Sequence, residues 1–159
     1  MTTKTHFRAC NLCEAMCGLR IESDGNAQAI ASLPPSIAAF HLAFGPDDFL
    51  YVTGPTLGTS DAVYRVSMAG EVSILYAGFG RPQGLAFDAA GHLFVVDALA
   101  GSSGLYRIRL DEPDAPELML SGGALIGLAF DPHGGIALSA SEVVYKLSVG
   151  VRGLLPYGA

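Results

Sequence analysis

The sequence predicts an all-β fold assembled from three repeats, and three observations carry that prediction. One phrase returns at a constant interval: Leu42-Ala43-Phe44, Leu85-Ala86-Phe87 and Leu128-Ala129-Phe130 stand 43 residues apart. Behind a Gly, Pro or Asp turn each is followed by a second apolar run with the same 43-residue spacing: Leu50-Tyr51-Val52, Leu93-Phe94-Val95 and Ile136-Ala137-Leu138. A third run then brings a shared tyrosine, in Val63-Tyr64-Arg65-Val66, Leu105-Tyr106-Arg107-Ile108 and Val144-Tyr145-Lys146-Leu147. Short alternating runs rich in β-branched and aromatic residues, bounded by turn residues, read as strands. A period in the low forties that carries several strands is the mark of a β-propeller blade.

The elements follow in order. The first copy spans residues 39–77. In the second, residues 82–88 form the innermost strand and Asp88-Ala89-Ala90-Gly91 a tight turn, with Gly91 free to take a positive φ. Residues 92–98 form the next strand, 104–110 the third, and 117–121 the outer one after the turn from Pro113 to Pro116. The third copy covers residues 125–149 and runs out in 150–159 without an outer strand. Residues 27–33 precede the first copy at the place that 72–77 and 117–121 hold before the second and third. They are the candidate for the missing outer strand, which makes three sets of four strands cut so that an outer strand comes first.

Composition narrows the function classes. Half of the 159 residues are hydrophobic, 20 are Gly and only 15% are charged, a globular rather than a disordered balance. The net charge of −6 comes from the repeat body, with 12 acids against 6 bases after residue 39. An acidic surface without a Lys/Arg cluster speaks against nucleic acid as a partner. No apolar run reaches the ~20 residues of a membrane helix, and the N-terminus lacks an apolar stretch suited to a signal peptide. A soluble, cytoplasmic protein is the expectation.

Cys10, Cys13 and Cys17 are the only cysteines and lie within eight positions. An odd, clustered set is a poor disulfide framework and a better metal or cluster site. The chain therefore divides into a Cys-rich head, residues 1–31, and a repeat body, residues 32–159.

Gly80-Arg81-Pro82-Gln83-Gly84-Leu85-Ala86-Phe87-Asp88, Gly91-His92-Leu93-Phe94-Val95-Val96-Asp97 and the copies around them resemble the NHL and gluconolactonase-like six-bladed propellers, over about residues 30–155. The resemblance implies half of a six-bladed ring, three blade equivalents. Three blades cannot close, and they leave unpaired edges and apolar faces. Either two copies close the ring as a homodimer, or the chain is a fragment of a longer protein. Lactonases of this superfamily hold a metal with carboxylates and amides at the inner blade ends, one of them in an Arg-Pro-Asp-Gly pattern. Here the pattern reads Arg81-Pro82-Gln83-Gly84, and the equivalent positions are Phe40 and Ile126, so no lactonase-type metal site is expected. Asp88 and Asp131 read as turn-capping residues, while Asp97 ends an apolar strand without an evident role. His41, His92 and His133 are scattered, with His92 and His133 read as solvated turn residues, and Tyr64, Tyr106 and Tyr145 read as packing between blades.

The head, Cys10-Asn11-Leu12-Cys13-Glu14-Ala15-Met16-Cys17-Gly18-Leu19, resembles the N-terminal 4Fe–4S motif of molybdopterin oxidoreductases over about residues 5–31, with a hairpin of 19–23 and 27–31 expected behind it. That family supplies a fourth Cys, which this chain lacks, and a cubane normally takes four. His6, four residues before Cys10, is the candidate fourth ligand. Three readings stand: an iron–sulfur cluster (4Fe–4S or 3Fe–4S) on an incomplete ligand set, zinc, or a relic head that binds nothing. The functional readings are a propeller binding or scaffold module without a catalytic metal site, an iron–sulfur electron-transfer protein, and a metal-dependent lactonase-like hydrolase. Whether the protein is an enzyme is left open by the sequence.

Overall fold

A computed structural model of the chain describes residues 4–9, 18–23, 29–38, 40–98, 103–131 and 133–154, with side chains from residue 29 onward. Every regular element among them is a strand. None of the described residues forms a helix long and apolar enough to cross a membrane.

β1 (Lys4–Ala9) and β2 (Gly18–Ser23) pair as an antiparallel hairpin, Lys4 opposite Ser23 and Ala9 opposite Gly18. The body holds three antiparallel sheets. β3 (His41–Phe44), β4 (Leu50–Thr53), β5 (Asp61–Val66) and β6 (Val72–Phe79) lie in that order in the first. β7 (Pro82–Phe87), β8 (Leu93–Asp97), β9 (Gly104–Ile108) and β10 (Glu117–Ser121) make the second. β11 (Gly127–Phe130), β12 (Gly135–Ser139) and β13 (Val144–Ser148) make the third, which has no fourth strand among the described residues. The four expected strands of the second copy form within two residues of their expected bounds. One expectation needs correction: residues 29–33 lie in no strand. β2 pairs with β1 in front of it, and residues 24–28, which include the start of the expected hairpin's second strand, lie outside the described residues.

Tight turns reverse the chain between the first two strands of each sheet. In the second sheet Gly91 takes φ 86° and donates its N–H to Asp88 O at 3.0 Å. Gly134 repeats this with φ 91°. The equivalent residue of the first sheet is Asp48, held at φ 63° without the freedom of a glycine.

Period-2 alternation gives each sheet two apolar faces, and the cores lie between sheets rather than within them. Tyr51 and Val63 of the first sheet pack against Leu85, Phe87, Leu93, Val95 and Ile108 of the second. Phe94, Val96 and Leu105 on the second sheet's opposite face pack against Ile136 and Leu138 of the third, with Leu128, Phe130 and Leu147 partly buried beside them. The junctions repeat one ring contact. Tyr51 meets Phe87 edge to face at 4.9 Å, and Phe94 meets Phe130 at 5.2 Å. Such pairs contribute about 0.5–1.5 kcal/mol beyond their buried area.

Candidate functional site

The inner strands β3, β7 and β11 stand side by side because small residues let their backbones meet. Gly84 N–H donates to Ile126 O at 2.8 Å. A Cβ on Gly84 would lie 2.9 Å from Gly127 Cα. On the other flank the Thr53 hydroxyl donates to Gln83 O. These strands line a groove of ≈ 270 Å³ that begins at His41, Leu42, Gly84 and Leu85 and spreads over Ala129, Ala137, Ser139 and Val144 of the third sheet. The walls are mostly apolar, with His41 and Ser139 as the polar side chains. Ala137 stands 43 residues after Phe94, so the groove opens where the other two sheets carry the ring of Tyr51 or Phe94. The offset alone could have pointed to it, but attention to carboxylates passed over an alanine.

Gln83 and its repeat equivalents Phe40 and Ile126 stand 43 residues apart. Phe40 and Ile126 are exposed apolar side chains. No group of three or more His, Cys, Asp or Glu able to hold a metal occurs among the described residues.

The buried carboxylates have other work. Asp97 is fully buried and accepts the N–H groups of Gly80 at 3.1 Å and Arg81 at 2.6 Å. Asp88 caps its turn by accepting from Ala90 N–H at 3.0 Å and His92 N–H at 2.8 Å, as expected. The other oxygen of Asp88 lies 2.9 Å from His92 Nδ1. The expectation of a merely solvated His92 is thereby corrected. Asp61 accepts from Thr56 N–H at 3.1 Å and from its hydroxyl at 2.5 Å. Asp131 accepts from His133 N–H and pairs with Lys146 Nζ at 2.7 Å, and these two partners hold its carboxyl below the usual range.

Asp47 anchors the most connected cluster. It accepts from the Tyr51 hydroxyl at 2.9 Å and from Arg65 Nη2 at 2.7 Å, and the Arg65 guanidinium lies 3.5 Å over the Phe49 ring. Burial pushes the Asp47 carboxyl up, but the Arg65, Tyr51 and Phe49 donors outweigh it and hold the group below its ordinary value. Burial, followed by the hydrogen bond to Asp47, raises Tyr51. The cluster is a fastening at one end of the first sheet, not an acid–base pair in a cleft.

Tyr106 packs as expected, its ring 5.0 Å from Phe79, while Tyr145 is half exposed. His6 lies in β1 opposite Ile21. Cys10, Cys13 and Cys17 fall outside the described residues.

The chain matches solved structures over most of its length. With a protein proposed to be a gluconolactonase it shares 24% identity at a TM-score of 0.60, covering 86% of this chain and 56% of the other. The chain has the fold of half a β-propeller. Virginiamycin B lyase from Staphylococcus aureus gives 13% identity and a TM-score of 0.53, and a catalytically inactive variant of that lyase with quinupristin gives 17% and 0.51. Each covers 82% of this chain, and this half-propeller spans 47% of either lyase chain. The sequence matches no protein-family profile and no curated protein. At these identities the likeness speaks for the fold alone.

Proposed function

We propose that this half-propeller is a binding module of NHL and gluconolactonase-like type, using its axial groove to seat an apolar group rather than to hydrolyse a lactone. One observation carries the reading: Gln83 stands where the lactonase-like pattern would have a carboxylate, and its repeat equivalents are Phe40 and Ile126. A hard divalent cation takes about 6–8 oxygen ligands, preferably charged ones. Asp97, the fully buried carboxylate at the end of β8, is already occupied by two backbone donors. The mostly apolar walls of the groove suit a side chain or ligand of hydrocarbon character. The test is δ-lactone hydrolysis followed with added Ca²⁺, Mn²⁺ or Zn²⁺. No rate above buffer and no ion-dependent rise in Tm are expected, and ion-dependent turnover would overturn the reading.

A second reading concerns the head. In sequence Cys10, Cys13 and Cys17 lie between Ala9 and Gly18, which pair across β1 and β2. Such spacing favours a thiolate site for an iron–sulfur cluster or zinc, with His6 as candidate fourth ligand. Clustered thiols of this kind fit the reducing cytoplasm. Iron, sulfide and zinc are measured per chain after anaerobic purification. Less than a tenth of an equivalent of each would remove the reading.

A further inference from the structure

The two junctions between sheets share one ring contact near the axis but differ farther out. At the first, Tyr76 meets Phe79 edge to face at 4.8 Å, and Phe79 meets Tyr106 at 5.0 Å. Phe79 is the buried centre of these rings, 2% exposed. One repeat of 43 residues after Phe79 stands Gly122, while Tyr145 holds the place of Tyr106 in the shared third run. The second junction therefore keeps the tyrosine and lacks the central ring. Tyr145 is half exposed there, with no ring beside it among the described residues.

A cavity of ≈ 380 Å³ lies at that place. Leu120 and Leu125 line it from β10 and the connector behind it, and Leu138, Tyr145 and Leu147 line it from the third sheet. Leu125 and Leu138 are buried and give it an apolar floor. Gly122 belongs to the wall. A Cβ on Gly122 would lie 3.6 to 3.9 Å from the Leu125 side chain, an ordinary contact, so the position accepts a side chain and aims it at the lining. Nor does the backbone demand a glycine, since positive φ falls at Gly70, Gly91, Gly134 and Gly150 instead.

Charge narrows the occupant. Lys146 is the charged residue at the rim, and its Nζ is committed to Asp131 at 2.7 Å. An ionised ligand would lose its water here without gaining a counter-charge. Volume narrows it further. Small-molecule pockets run from about 300 to 1,000 Å³, and an apolar cavity of about 150 Å³ already admits a benzene ring.

We propose that this cavity binds a small uncharged aromatic molecule, its ring standing where Phe79 stands at the first junction. Tyr145 supplies the tilted ring partner that Tyr106 gives Phe79, a geometry that aromatic pairs favour. The leucines cover the remainder of the ring. None of the residues lining this cavity lines the axial groove. The inference goes beyond the binding-module reading, and either can fail without the other.

Indole is the probe: it is neutral and aromatic, and its fluorescence can be followed because the chain contains no Trp. Titration with the full chain should give a saturable blue shift, and phenol should compete severalfold better than cyclohexanol. Gly122→Phe should abolish the shift and raise Tm by filling the cavity with the chain's own ring. Tyr145→Ala should weaken binding severalfold. In the wild type, where no variant has to fold, indole should move the methyl resonances of Leu125 and Leu138. No saturable shift at millimolar indole overturns the proposal, as does binding that survives Gly122→Phe or equal competition by cyclohexanol. Methyl shifts confined to Leu42 and Leu128 of the axial groove would also overturn it, and would leave the binding-module reading standing.

Discussion

The carboxylate of Asp97 accepts the amide N–H of Arg81 at 2.6 Å, sixteen residues back along the chain. With Gly80 as second donor, the last residue of β8 pins the connector that delivers the chain into β7. Both amides are near the protein interior, and hydrogen bonds to a charged group contribute about 1.5–3 kcal/mol each in such settings. Asp97→Ala should therefore lower unfolding free energy by about 2–4 kcal/mol. Asp97→Asn, which keeps one acceptor oxygen but turns its amide N–H toward the other backbone donor, should cost at least half as much. Urea unfolding of the two variants checks both numbers, and equal small losses would show that the connector holds without its anchor.

Asp48 gives a prediction of the opposite sign. Its φ of 63° occupies the turn position that Gly91 and Gly134 fill at 86° and 91°. A side chain in the left-handed region costs about 1 kcal/mol, less for Asp than for most residues. Asp48→Gly should stabilise the protein by about 0.5–1 kcal/mol, visible as a higher urea midpoint with unchanged slope.

The Asp47 cluster makes stability depend on acid. Its folded value is depressed, so the stabilising contribution is complete above the ordinary Asp value of about 3.9 and is lost as pH falls through the lower folded value. Because Arg65 and Asp47 are each about a third exposed, the contribution is modest, about 1 kcal/mol. Asp47→Asn should flatten the acid limb of a Tm-against-pH curve below pH ~4 and leave the neutral region lower by a few degrees.

Gly84→Ala tests the closeness of the inner strands. The added Cβ would meet Gly127 Cα and Ile126 O, each at 2.9 Å, and both are backbone atoms that cannot swing aside. Overpacking of this kind costs about 1–3 kcal/mol. Gly123→Ala, where nothing lies within 4 Å, is the control and should be near neutral. Thermal unfolding of the pair separates a steric cost from a general loss of glycine.

The inner and second strands were legible because their phrases recur at one interval with matching alternation, and the repeated ring contact between sheets follows from it. Phe94 and Phe130 are Tyr51 and Phe87 advanced by one repeat. The remainder hung on partners that no period reveals. The amides that explain Asp97 precede it by sixteen and seventeen residues. His92 reads as a solvated turn residue until its ring is seen beside Asp88. Residues 19–23 carry the alternation of a strand but do not say which neighbour they choose, and the structure chooses β1. Residues 29–33 stand at the offset of an outer strand, yet they lie in no strand. The carboxylate pattern of a lactonase could be judged missing from Gln83 alone, while the groove around Ala137 needed the assembled sheets.

The backbone tie between the tail and the turn at Asp88 gives the stack a direction of unravelling. In a row of repeats each unit is coupled to its immediate neighbours alone. Here the exit strand of the third sheet doubles back over a whole repeat and bridges Gly153 to Asp88, so the second and third sheets open together. The first sheet has no such tie across a repeat among the described residues. Its amides are the ones that exchange earliest, and a chain being pulled or proteolysed gives way from its N-terminal side.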